Sequence, residues 1–307
     1  MKFSIIIPAY NEEKHLPGCL ESIAMLNYSK DEYEIILVDN GSSDRTIKIA
    51  ESYGAIILID NSKTVSGLRN LGASTAKGEI LAFVDADCIV DKDWLKQAEI
   101  YSRDDAVRAW GSPPVIPENA SWVQEAWYLV RQKVEEVQEV DWLESMNLFV
   151  QKEIFFSING FNEKLVTCED VDFCYRLKEY GSIISDKKIK VVHLGEAETV
   201  REFFKKEIWR GRSNLAGILS HGFSLNEMTS LSIPFYFGLF LPVTLVIFIF
   251  NFDHSWLWIW VVIYLLPTIA LLLKLRKKKI TFKNLGRLLF LVQVYFFSRT
   301  VAVLKKT

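Results

Sequence analysis

Two aspartates separated by one alanine follow a short apolar run in this 307-residue chain. The stretch GEILAFVDADCIV contains the apolar segment 80–84, which is suited to burial, and Asp85 and Asp87 come directly after it. Two carboxylates about 5 Å apart repel each other by roughly 3 kcal/mol at an effective dielectric constant near 20. A divalent cation, or protonation of one carboxylate, removes this repulsion, and Mg²⁺ or Mn²⁺ leaves coordination positions for water and phosphate oxygens. The pair therefore suits a metal that holds a diphosphate, although Asp-x-Asp is also common in turns.

The elements around this pair predict a nucleotide-binding sheet. FSIIIPAY, YEIILVDN, AIILID and EILAFVDAD are apolar runs without alternation, joined by helix-like segments. Such runs predict strands covered on both faces, and therefore an α/β fold with a mostly parallel, Rossmann-like sheet flanked by helices. Ligands bind such sheets beyond the carboxyl ends of the strands. The residues that follow strands one, two and four are Pro8, Tyr10, Asn11 and Glu12, then Asp39 to Ser43, then Asp85 and Asp87.

Three polar strand ends on one edge predict a binding site, and individual side chains there fit a nucleotide. Arg69 precedes the fourth strand and supplies a cation for phosphate. Asp39 can accept hydrogen bonds from the ring N–H groups of a nucleobase, and Tyr10 can pack on the face of the base. Each residue alone is better explained as a surface arginine, an N-cap aspartate or a half-buried tyrosine. Their combination favours the nucleotide site.

Composition limits the partners of the chain. The formal net charge of −2 argues against nucleic-acid binding, which needs a clear basic excess. The four cysteines follow no zinc spacing and predict reduced, mostly packed thiols. The N-terminal apolar run is broken by Pro8 and followed by acids, so it is too short for a signal-peptide core. We therefore expect any catalytic part to stay in the cytoplasm.

The last part of the chain predicts a membrane region. Segments 231–252 and 256–273 are uncharged, and the first would extend about 33 Å as a helix. The link NFDHS has no Lys or Arg, whereas KLRKKKITFKNLGR has seven, which places this basic loop in the cytoplasm. A third apolar segment, about 285–304, contains Gln293 and Arg299 and is predicted to span the membrane or, preferably, to lie in its interface. We expect a catalytic domain over 1–222 and a membrane region over 223–307 in a multi-pass cell-membrane protein.

Four segments together resemble the family 2 glycosyltransferases of the A-type fold. They are SIIIPAYNEEKHLPGCLESI, YEIILVDNGSSDRTIKIA, GLRNLGASTAKGEILAFVDADC and NGFNEKLVTCEDVDFCYRL, in order and at ordinary spacing over about residues 3–181. The resemblance implies a nucleotide-sugar donor, Mn²⁺ or Mg²⁺, and transfer with inversion at the sugar carbon. By position it implies that the nucleoside is held by Pro8, Tyr10, Glu12 and Asp39. It also implies that Arg69 reaches the diphosphate, that Asp85 faces the ribose or the water shell of the metal, and that Asp87 binds the metal directly.

The resemblance also implies an acceptor-side base. Residues 169–180 are predicted to form a helix, and by composition alone the acids at its start are favoured by the helix dipole and by capping. The Glu-Asp pair of the family lies here, so Asp170 is the expected base and Glu169 its neighbour. IISDKKIKVVHLG is predicted as one strand that ends at His193. A lone histidine is usually a satisfied core or surface residue, but the resemblance makes His193 a candidate ligand that suits Mn²⁺ better than Mg²⁺.

The segment FFKKEIWRGRSN lies near the position of the Gln-x-x-Arg-Trp motif in processive synthases of the family. Its order, Trp-Arg-Gly-Arg without the glutamine, makes processivity doubtful. Arg210 and Arg212 are expected to contact a phosphate of the donor or of a lipid acceptor. The alternative is an amphipathic helix whose cations meet lipid headgroups.

Together these features predict a membrane-anchored, metal-dependent, inverting glycosyltransferase. The favoured donor is a UDP-sugar, with a GDP-sugar as the alternative, and the acceptor is a polyprenyl phosphate, a lipid-linked saccharide or a glycolipid. A non-catalytic nucleotide-binding membrane scaffold is a second possibility, whose mark would be loss of Asp87 or of the 169–170 pair. A sugar-phosphate nucleotidyltransferase is disfavoured, because PAYNEEKH stands where its glycine-rich loop would be.

Overall fold

The computed structural model describes residues 1–133, 135–221, 228–250, 255–276, 278 and 280–304. The chain folds into two compact units: unit 1 contains residues 1–117 and 135–195, and unit 2 contains residues 118–134 and 196–307. These limits differ from a division at residue 222, because helices within 118–134 and 200–210 contact the C-terminal helix. The catalytic and membrane regions over 1–222 and 223–307 stay a functional prediction.

The strands and helices are defined as follows. The strands are β1 (Phe3–Ala9), β2 (Tyr33–Asp39), β3 (Ile56–Ile59), β4 (Ile80–Val84), β5 (Cys88–Val90), β6 (Val107–Gly111), β7 (Val137–Glu139), β8 (Asn147–Gln151), β9 (Ser182–Asp186) and β10 (Val191–His193). The helices of unit 1 and the first of unit 2 are α1 (Leu16–Ala24), α2 (Thr46–Ser52), α3 (Val65–Thr75), α4 (Trp94–Glu99), α5 (Trp122–Arg131), α6 (Lys152–Ser157) and α7 (Glu169–Leu177). The remaining helices of unit 2 are α8 (Val200–Arg210), α9 (Asn214–His221), α10 (Met228–Phe235), α11 (Leu241–Phe250), α12 (Ser255–Lys274) and α13 (Phe282–Leu304).

Unit 1 is built on an eight-stranded sheet with the order β3-β2-β1-β4-β8-β6-β9-β7. The four strands predicted from the apolar runs are β1 to β4, and they pair in parallel. On the other side, β8 runs antiparallel to β4 and β6, while β9 is parallel to β6. The α/β class and the mostly parallel centre are thus confirmed. The order reverses at β1, so the carboxyl ends of β1, β2 and β4 meet at one edge.

The central strands are apolar throughout because helices cover both faces of the sheet. In β1, Ile5 and Ile7 belong to one buried cluster and Ile6 belongs to the other. β4 alternates in the same way, with Ala82 in the first cluster and Phe83 in the second. Successive side chains of a strand point to opposite faces, so a strand buried on both sides must be apolar at every position.

One predicted strand is divided in the structure. The segment IISDKKIKVVHLG forms β9 and β10, which belong to different sheets, because a turn separates them. The Asp186 carboxylate accepts a hydrogen bond from the Lys188 N–H at 2.9 Å, and the Asp186 carbonyl accepts one from the Ile189 N–H at 3.0 Å. β10 then pairs antiparallel with β5, which places His193 opposite Cys88.

Unit 2 is helical. Val123 of α5, Phe203 of α8 and Leu291 of α13 share one buried apolar cluster. Ile233 of α10 packs with Leu288, and both belong to a second cluster that also lies on α13. The C-terminal helix α13 is therefore the element against which α5, α8 and α10 pack.

The predicted membrane helices differ from the structure. In the described part of the chain, one helix has the length and apolar composition to cross a bilayer, and it is Phe282–Val303 in α13. Within the described residues, the two predicted spans contain the shorter apolar stretches Ser232–Ile247 and Trp258–Leu273. A π-helix over Tyr236–Phe240 interrupts the first of them, and part of the predicted link, 251–254, lies outside the described residues. A multi-pass arrangement is therefore not supported.

Candidate active site

Asp39 is a buried carboxylate at the end of β2. Its side chain is fully buried, and its Oδ2 accepts hydrogen bonds from the backbone N–H groups of Gly41 at 2.8 Å and Ser42 at 2.7 Å. Gly41 has a positive φ of 79°, which the turn requires and which glycine adopts without strain. The Asp39 Oδ1 atom is buried without a hydrogen-bond partner in the structure. Because such an acceptor costs free energy, this atom is suited to an N–H donor from a ligand.

The ends of β1 and β2 are tied together beside Asp39. The Asn11 N–H donates to the Ser42 hydroxyl at 2.8 Å, and the Ser43 N–H donates to the Asn11 side-chain oxygen at 2.9 Å. Tyr10 is 59% exposed at this junction, so its ring is accessible to a base. Pro8 differs from its predicted contact role, because it is buried within β1 and contributes to the strand itself.

Arg69 connects two carboxylates that are distant in sequence. It lies on α3 and is 2% exposed. Its Nη2 donates to Asp85 Oδ1 at 2.7 Å, and its Nη1 donates to Glu169 Oε1 at 2.8 Å. Burial lowers the pKa of Arg69, but Asp85, Glu169 and Asp170 raise it by more, so the guanidinium stays charged.

The contacts of Arg69 in the structure are with carboxylates and an aromatic ring. Both terminal nitrogens are engaged by carboxylates, and the guanidinium lies 5.8 Å from the centroid of the buried Phe161 ring. Its contacts in the structure are therefore those of a residue that positions Asp85 and Glu169. Contact with a diphosphate stays a prediction.

Asp87 and His193 lie together where β5 pairs with β10. Asp87 Oδ2 is 3.1 Å from His193 Nε2, and both residues are largely shielded from solvent. The Leu194 N–H donates to the Asp87 carbonyl at 2.9 Å, which holds the two strands in register. Gly195 approaches Asp87 so closely that a Cβ at this position would overlap Oδ2. Sequence reasoning did not identify Gly195, although a glycine two residues after a candidate ligand is a signal for close approach.

Cys88 completes a group of three possible metal ligands with Asp87 and His193, whose ligand atoms lie within 4.8 Å of one another. Burial, and then Asp85 and Asp87, raise the pKa of the Cys88 thiol well above its usual value. A protonated thiol is a poor ligand, and Mn²⁺ and Mg²⁺ prefer oxygen and imidazole nitrogen. Asp87 and His193 are therefore the pair that fits such an ion.

Glu12 belongs to the same acidic region. Its carboxylate lies 3.0 Å from His15 Nδ1. Burial raises the pKa of Glu12, the hydrogen bond to His15 lowers it, and the charges of Asp87 and Asp85 raise it further. The electrostatic coupling means that a bound cation near Asp87 would also stabilise the Glu12 carboxylate.

The start of α7 presents an ionisable carboxyl. Asp170 is half-buried, and burial, followed by the charges of Glu169 and Glu144, raises its pKa to about 7. Its neighbour Glu169 is held by Arg69, while Asp172 is fully buried and bonded to Arg176 at 2.9 Å. A base with a pKa near the working pH exists as carboxylate yet accepts a proton readily. Of these three acids, Asp170 has the electrostatic properties of a general base.

The comparisons with known proteins bear on this site. Residues 4–158, half of the chain, match the glycosyl transferase family 2 domain. The chain belongs to family 2. It is 27% identical over 248 residues to glycosyltransferase AglE of Haloferax volcanii. This match covers 78% of this chain and 81% of AglE. It is 37% identical over 107 residues to the poly(ribitol-phosphate) beta-N-acetylglucosaminyltransferase TarS of Staphylococcus aureus, a match to 33% of this chain and 19% of TarS.

Solved structures show the same fold. The mannosyltransferase PcManGT from Pyrobaculum calidifontis, in complex with GDP-Man and Mn²⁺, superposes with a TM-score of 0.66 at 16% identity, over 99% of this chain and 87% of that chain. S. aureus TarS 1–349 in complex with UDP gives a TM-score of 0.54 at 20% identity, over 98% and 90% of the two chains. The A-type architecture of this family 2 protein is thereby established.

Two of the expected phosphate ligands of the family 2 chain lie in unit 2. Arg210, the last residue of α8, donates to Glu207 Oε1 at 2.8 Å and to Glu196 Oε1 at 2.9 Å. Burial lowers the pKa of Arg210, but Glu196 and Glu207 raise it by more. Arg212 follows the helix and is exposed. The contacts of Arg210 are with carboxylates, so its expected role as a phosphate ligand stays a prediction.

Proposed function

We propose that this family 2 chain transfers a sugar from a nucleotide-sugar donor to a membrane-associated acceptor, with inversion and with the help of a divalent metal. The observation that carries the proposal is the bridge made by Arg69. It joins Asp85, two residues before the Asp87–His193 pair, to Glu169, the residue before Asp170. A cation-binding group and a base are thereby held in one unit of the chain.

The donor is proposed to bind at the ends of β1 and β2. The buried Asp39 Oδ1 can accept the ring N–H of uracil or of guanine, and the exposed Tyr10 ring can pack on the base. TarS 1–349 in complex with UDP-GlcNAc and PcManGT with GDP-Man share the fold, which supports a nucleoside diphosphate sugar. We favour a UDP-sugar, with a GDP-sugar as the alternative.

The metal is proposed to be Mn²⁺ or Mg²⁺, held by Asp87 and His193 with Asp85 nearby. Asp87 Oδ2 and His193 Nε2 lie 3.1 Å apart, so both atoms could face one ion, and the mixed oxygen and nitrogen donors would favour Mn²⁺. When bound, the ion supplies the positive charge that stabilises the departing diphosphate.

The transfer step is proposed to depend on Asp170. The acceptor hydroxyl oxygen forms a bond to the anomeric carbon as the bond from that carbon to the diphosphate oxygen breaks. The Asp170 carboxylate takes the hydroxyl proton, and the electron pair leaves with the nucleoside diphosphate. Attack from the side opposite the leaving group inverts the configuration. Glu169, held by Arg69, orients this end of α7 and is a candidate acceptor contact.

The acceptor is proposed to be a polyprenyl phosphate, a lipid-linked saccharide or a glycolipid, because unit 2 has features of a membrane-binding surface. Phe282, Phe290 and Phe297 are exposed and recur every seven or eight residues, so they share one face of α13. Arg287 pairs with Glu125 near the start of this helix, and Arg299 pairs with Glu207 near its end. Charged partners at both ends favour a helix in the membrane interface, and we propose the cytoplasmic side, because of the basic loop before it.

The test is the thermal stability of the detergent-purified full chain against a panel of nucleoside diphosphates, with and without Mn²⁺. Ligand at one hundred times its dissociation constant adds about 2.7 kcal/mol of stability. We expect a metal-dependent shift with a uridine or guanosine diphosphate. A shift without any transfer from the matching sugar nucleotide would favour the scaffold, and no shift with any nucleotide would contradict the donor site.

A further inference from the structure

The segment 141–145, between β7 and β8, lies along helix α7. Just after the end of the helix, the Lys178 ammonium donates to Asp141 Oδ1 at 2.5 Å. At the start of the helix, the Ser145 hydroxyl lies 3.5 Å from Glu169 Oε1. The segment therefore runs antiparallel to the helix and ends beside the proposed base.

Trp142 is an exposed aromatic residue of this segment. Its neighbour Leu143 is fully buried and accepts a hydrogen bond at its carbonyl from the Cys174 thiol at 3.8 Å, whereas Trp142 is 38% exposed. Trp142 therefore lies between the levels of Cys174 and Lys178. These levels are four to eight residues from Asp170, or about 6 to 12 Å along the helix. A large apolar side chain is thus open to solvent within reach of an acceptor bound at the base.

Carboxylates lie at the end of this segment nearer the base. The charges of Glu169 and Glu144 both raise the pKa of Asp170, which places their carboxylates near it. Both terminal nitrogens of Arg69 are engaged, one by Glu169 and one by Asp85. An acceptor bound at Asp170 therefore meets carboxylate oxygens, which accept hydrogen bonds from hydroxyl groups.

These groups distinguish between two kinds of acceptor. A phosphate monoester carries a charge of about −1.5 to −2 at pH 7 and attacks through an oxygen without a proton, so the carboxylates would repel it and the base would have no task. A sugar is neutral, and its attacking hydroxyl has a proton to lose. Its other hydroxyls can donate to carboxylates, and the C–H face of its ring can pack on an indole. An exposed indole beside acidic side chains is a combination that suits a saccharide.

We propose that the acceptor presents a saccharide to this site, with a sugar ring on the indole of Trp142 and the reacting hydroxyl at Asp170. The acceptor is then a lipid-linked saccharide or a glycolipid rather than a polyprenyl phosphate. This inference rests on the proposed sugar transfer and names its acceptor class. Trp142 selects the acceptor and takes no part in the proton transfer.

The test measures release of nucleoside diphosphate by the full chain, purified in a detergent without sugar groups. The donors are UDP-glucose, UDP-N-acetylglucosamine and GDP-mannose. Each is assayed alone, with farnesyl phosphate, and with the octyl glycosides of glucose, galactose, mannose and N-acetylglucosamine. We expect at least one glycoside to raise release by about tenfold or more, because a bound hydroxyl attacks far faster than water from bulk solvent. Farnesyl phosphate should leave release unchanged.

Substitution of Trp142 should affect acceptor binding alone. Trp142→Ala should raise the KM for the active glycoside about tenfold and leave kcat unchanged, because the indole contacts the acceptor equally before and during transfer. Trp142→Phe should recover most of the loss, since it keeps an aromatic face. Tyr53→Ala is the matched control, because Tyr53 is also 38% exposed but follows α2, and it should change neither parameter.

Three results would overturn the proposal. Release raised by farnesyl phosphate and by no glycoside would indicate a phosphate acceptor, and release raised by neither would contradict a saccharide acceptor. A KM that is unchanged in Trp142→Ala would exclude the role of the indole. The nucleotide-dependent thermal shift is measured on every variant. Its absence in the wild type would mean that the donor site fails, whereas its presence in Trp142→Ala shows that a raised KM does not come from misfolding.

Discussion

The two units of the chain have opposite charge. Unit 1 contains 19 Lys and Arg against 30 Asp and Glu, a formal charge of −11, whereas unit 2 contains 17 against 8, a formal charge of +9. The charge of −2 for the whole chain hides this contrast. An acidic unit that carries a candidate metal site and a basic unit that carries apolar helices suit different partners, a cation and an anionic membrane surface. The net charge of a chain therefore says little about the partners of each unit.

The ion pairs repeat the contrast at the level of single side chains. In unit 1, the single cation Arg69 holds Asp85 and Glu169, so negative charge remains. In unit 2, the carboxylates Glu196 and Glu207 each contact more than one cation. In both arrangements the buried charged groups have partners of opposite sign, which offset the cost of removing them from water.

Substitution of the proposed metal ligand Asp87 should have the largest effect on transfer. We expect Asp87→Asn to lower transfer by about a thousandfold or more and to abolish the Mn²⁺-dependent nucleotide shift, because His193 loses its anionic partner at the metal. Steady-state transfer and the thermal shift measure the two effects. Asp60 follows strand β3, and Asp60→Asn is the control that should keep both transfer and the nucleotide shift. Wild-type transfer in Asp87→Asn would disprove the role of this residue.

Substitution of the proposed base should lower transfer without affecting donor binding. We expect Asp170→Asn to lower transfer by about 10² to 10⁴ while the nucleotide shift is retained. With a pKa of about 7, Asp170 is protonated below this pH and inactive as a base. Transfer by the wild type should therefore rise with pH and level off above about 7. A pH profile of kcat/KM measures this, and a flat profile between pH 5 and 8 would contradict the assignment.

Removal of the bridging cation should destabilise unit 1. Arg69→Gln leaves the buried Glu169 and the half-buried Asp85 without their cation, and loss of one partner of a buried pair typically costs about 3–5 kcal/mol of unfolding free energy. Arg45→Gln removes a cation whose side chain is 77% exposed and paired with Glu13, so it should change stability by less than about 1 kcal/mol. Urea unfolding followed by tryptophan fluorescence compares the two. Equal effects would mean that the bridge is unimportant for stability.

Replacement of glycine by alanine should lower transfer at a position in unit 1 and raise stability at a position in unit 2. Gly195→Ala places a methyl group against Asp87 Oδ2, so we expect transfer to fall by about tenfold or more as the carboxylate is displaced. Gly286→Ala lies on α13 with no atom near its new Cβ, and should stabilise the helix by about 0.5–1 kcal/mol. Transfer assays and thermal melts of both variants test this. If Gly286→Ala lost transfer while Gly195→Ala kept it, the proposed role of the close contact between Gly195 and Asp87 would be wrong.

Much of the fold and part of the site could be predicted from the sequence. The apolar runs without alternation identified β1 to β4, because a strand covered on both faces has no polar position. The polar residues at the strand ends indicated the site edge, and the motifs indicated family 2. Burial and the charges of Glu169 and Glu144 raise the pKa of Asp170 to about 7, whereas composition alone would have explained this acid by the helix dipole.

Other features depended on contacts between distant residues. Arg69 meets Asp85 across 16 positions and Glu169 across 100, so no local pattern gives its partners. The predicted spans depended on hydropathy alone, and the structure instead gives the required length to α13, which packs on α5 and α8. A window of sequence reports how apolar a helix is, but not which face its neighbours cover.

The sequence by itself determined the strands, the polar edge of the sheet and the family, because periodicity and motif order are local properties of the chain. The tertiary structure decided which charges are neutralised and which remain. A carboxylate or guanidinium has the same formal charge in any sequence, and only its burial and its neighbours set its pKa and the ligand that it can bind.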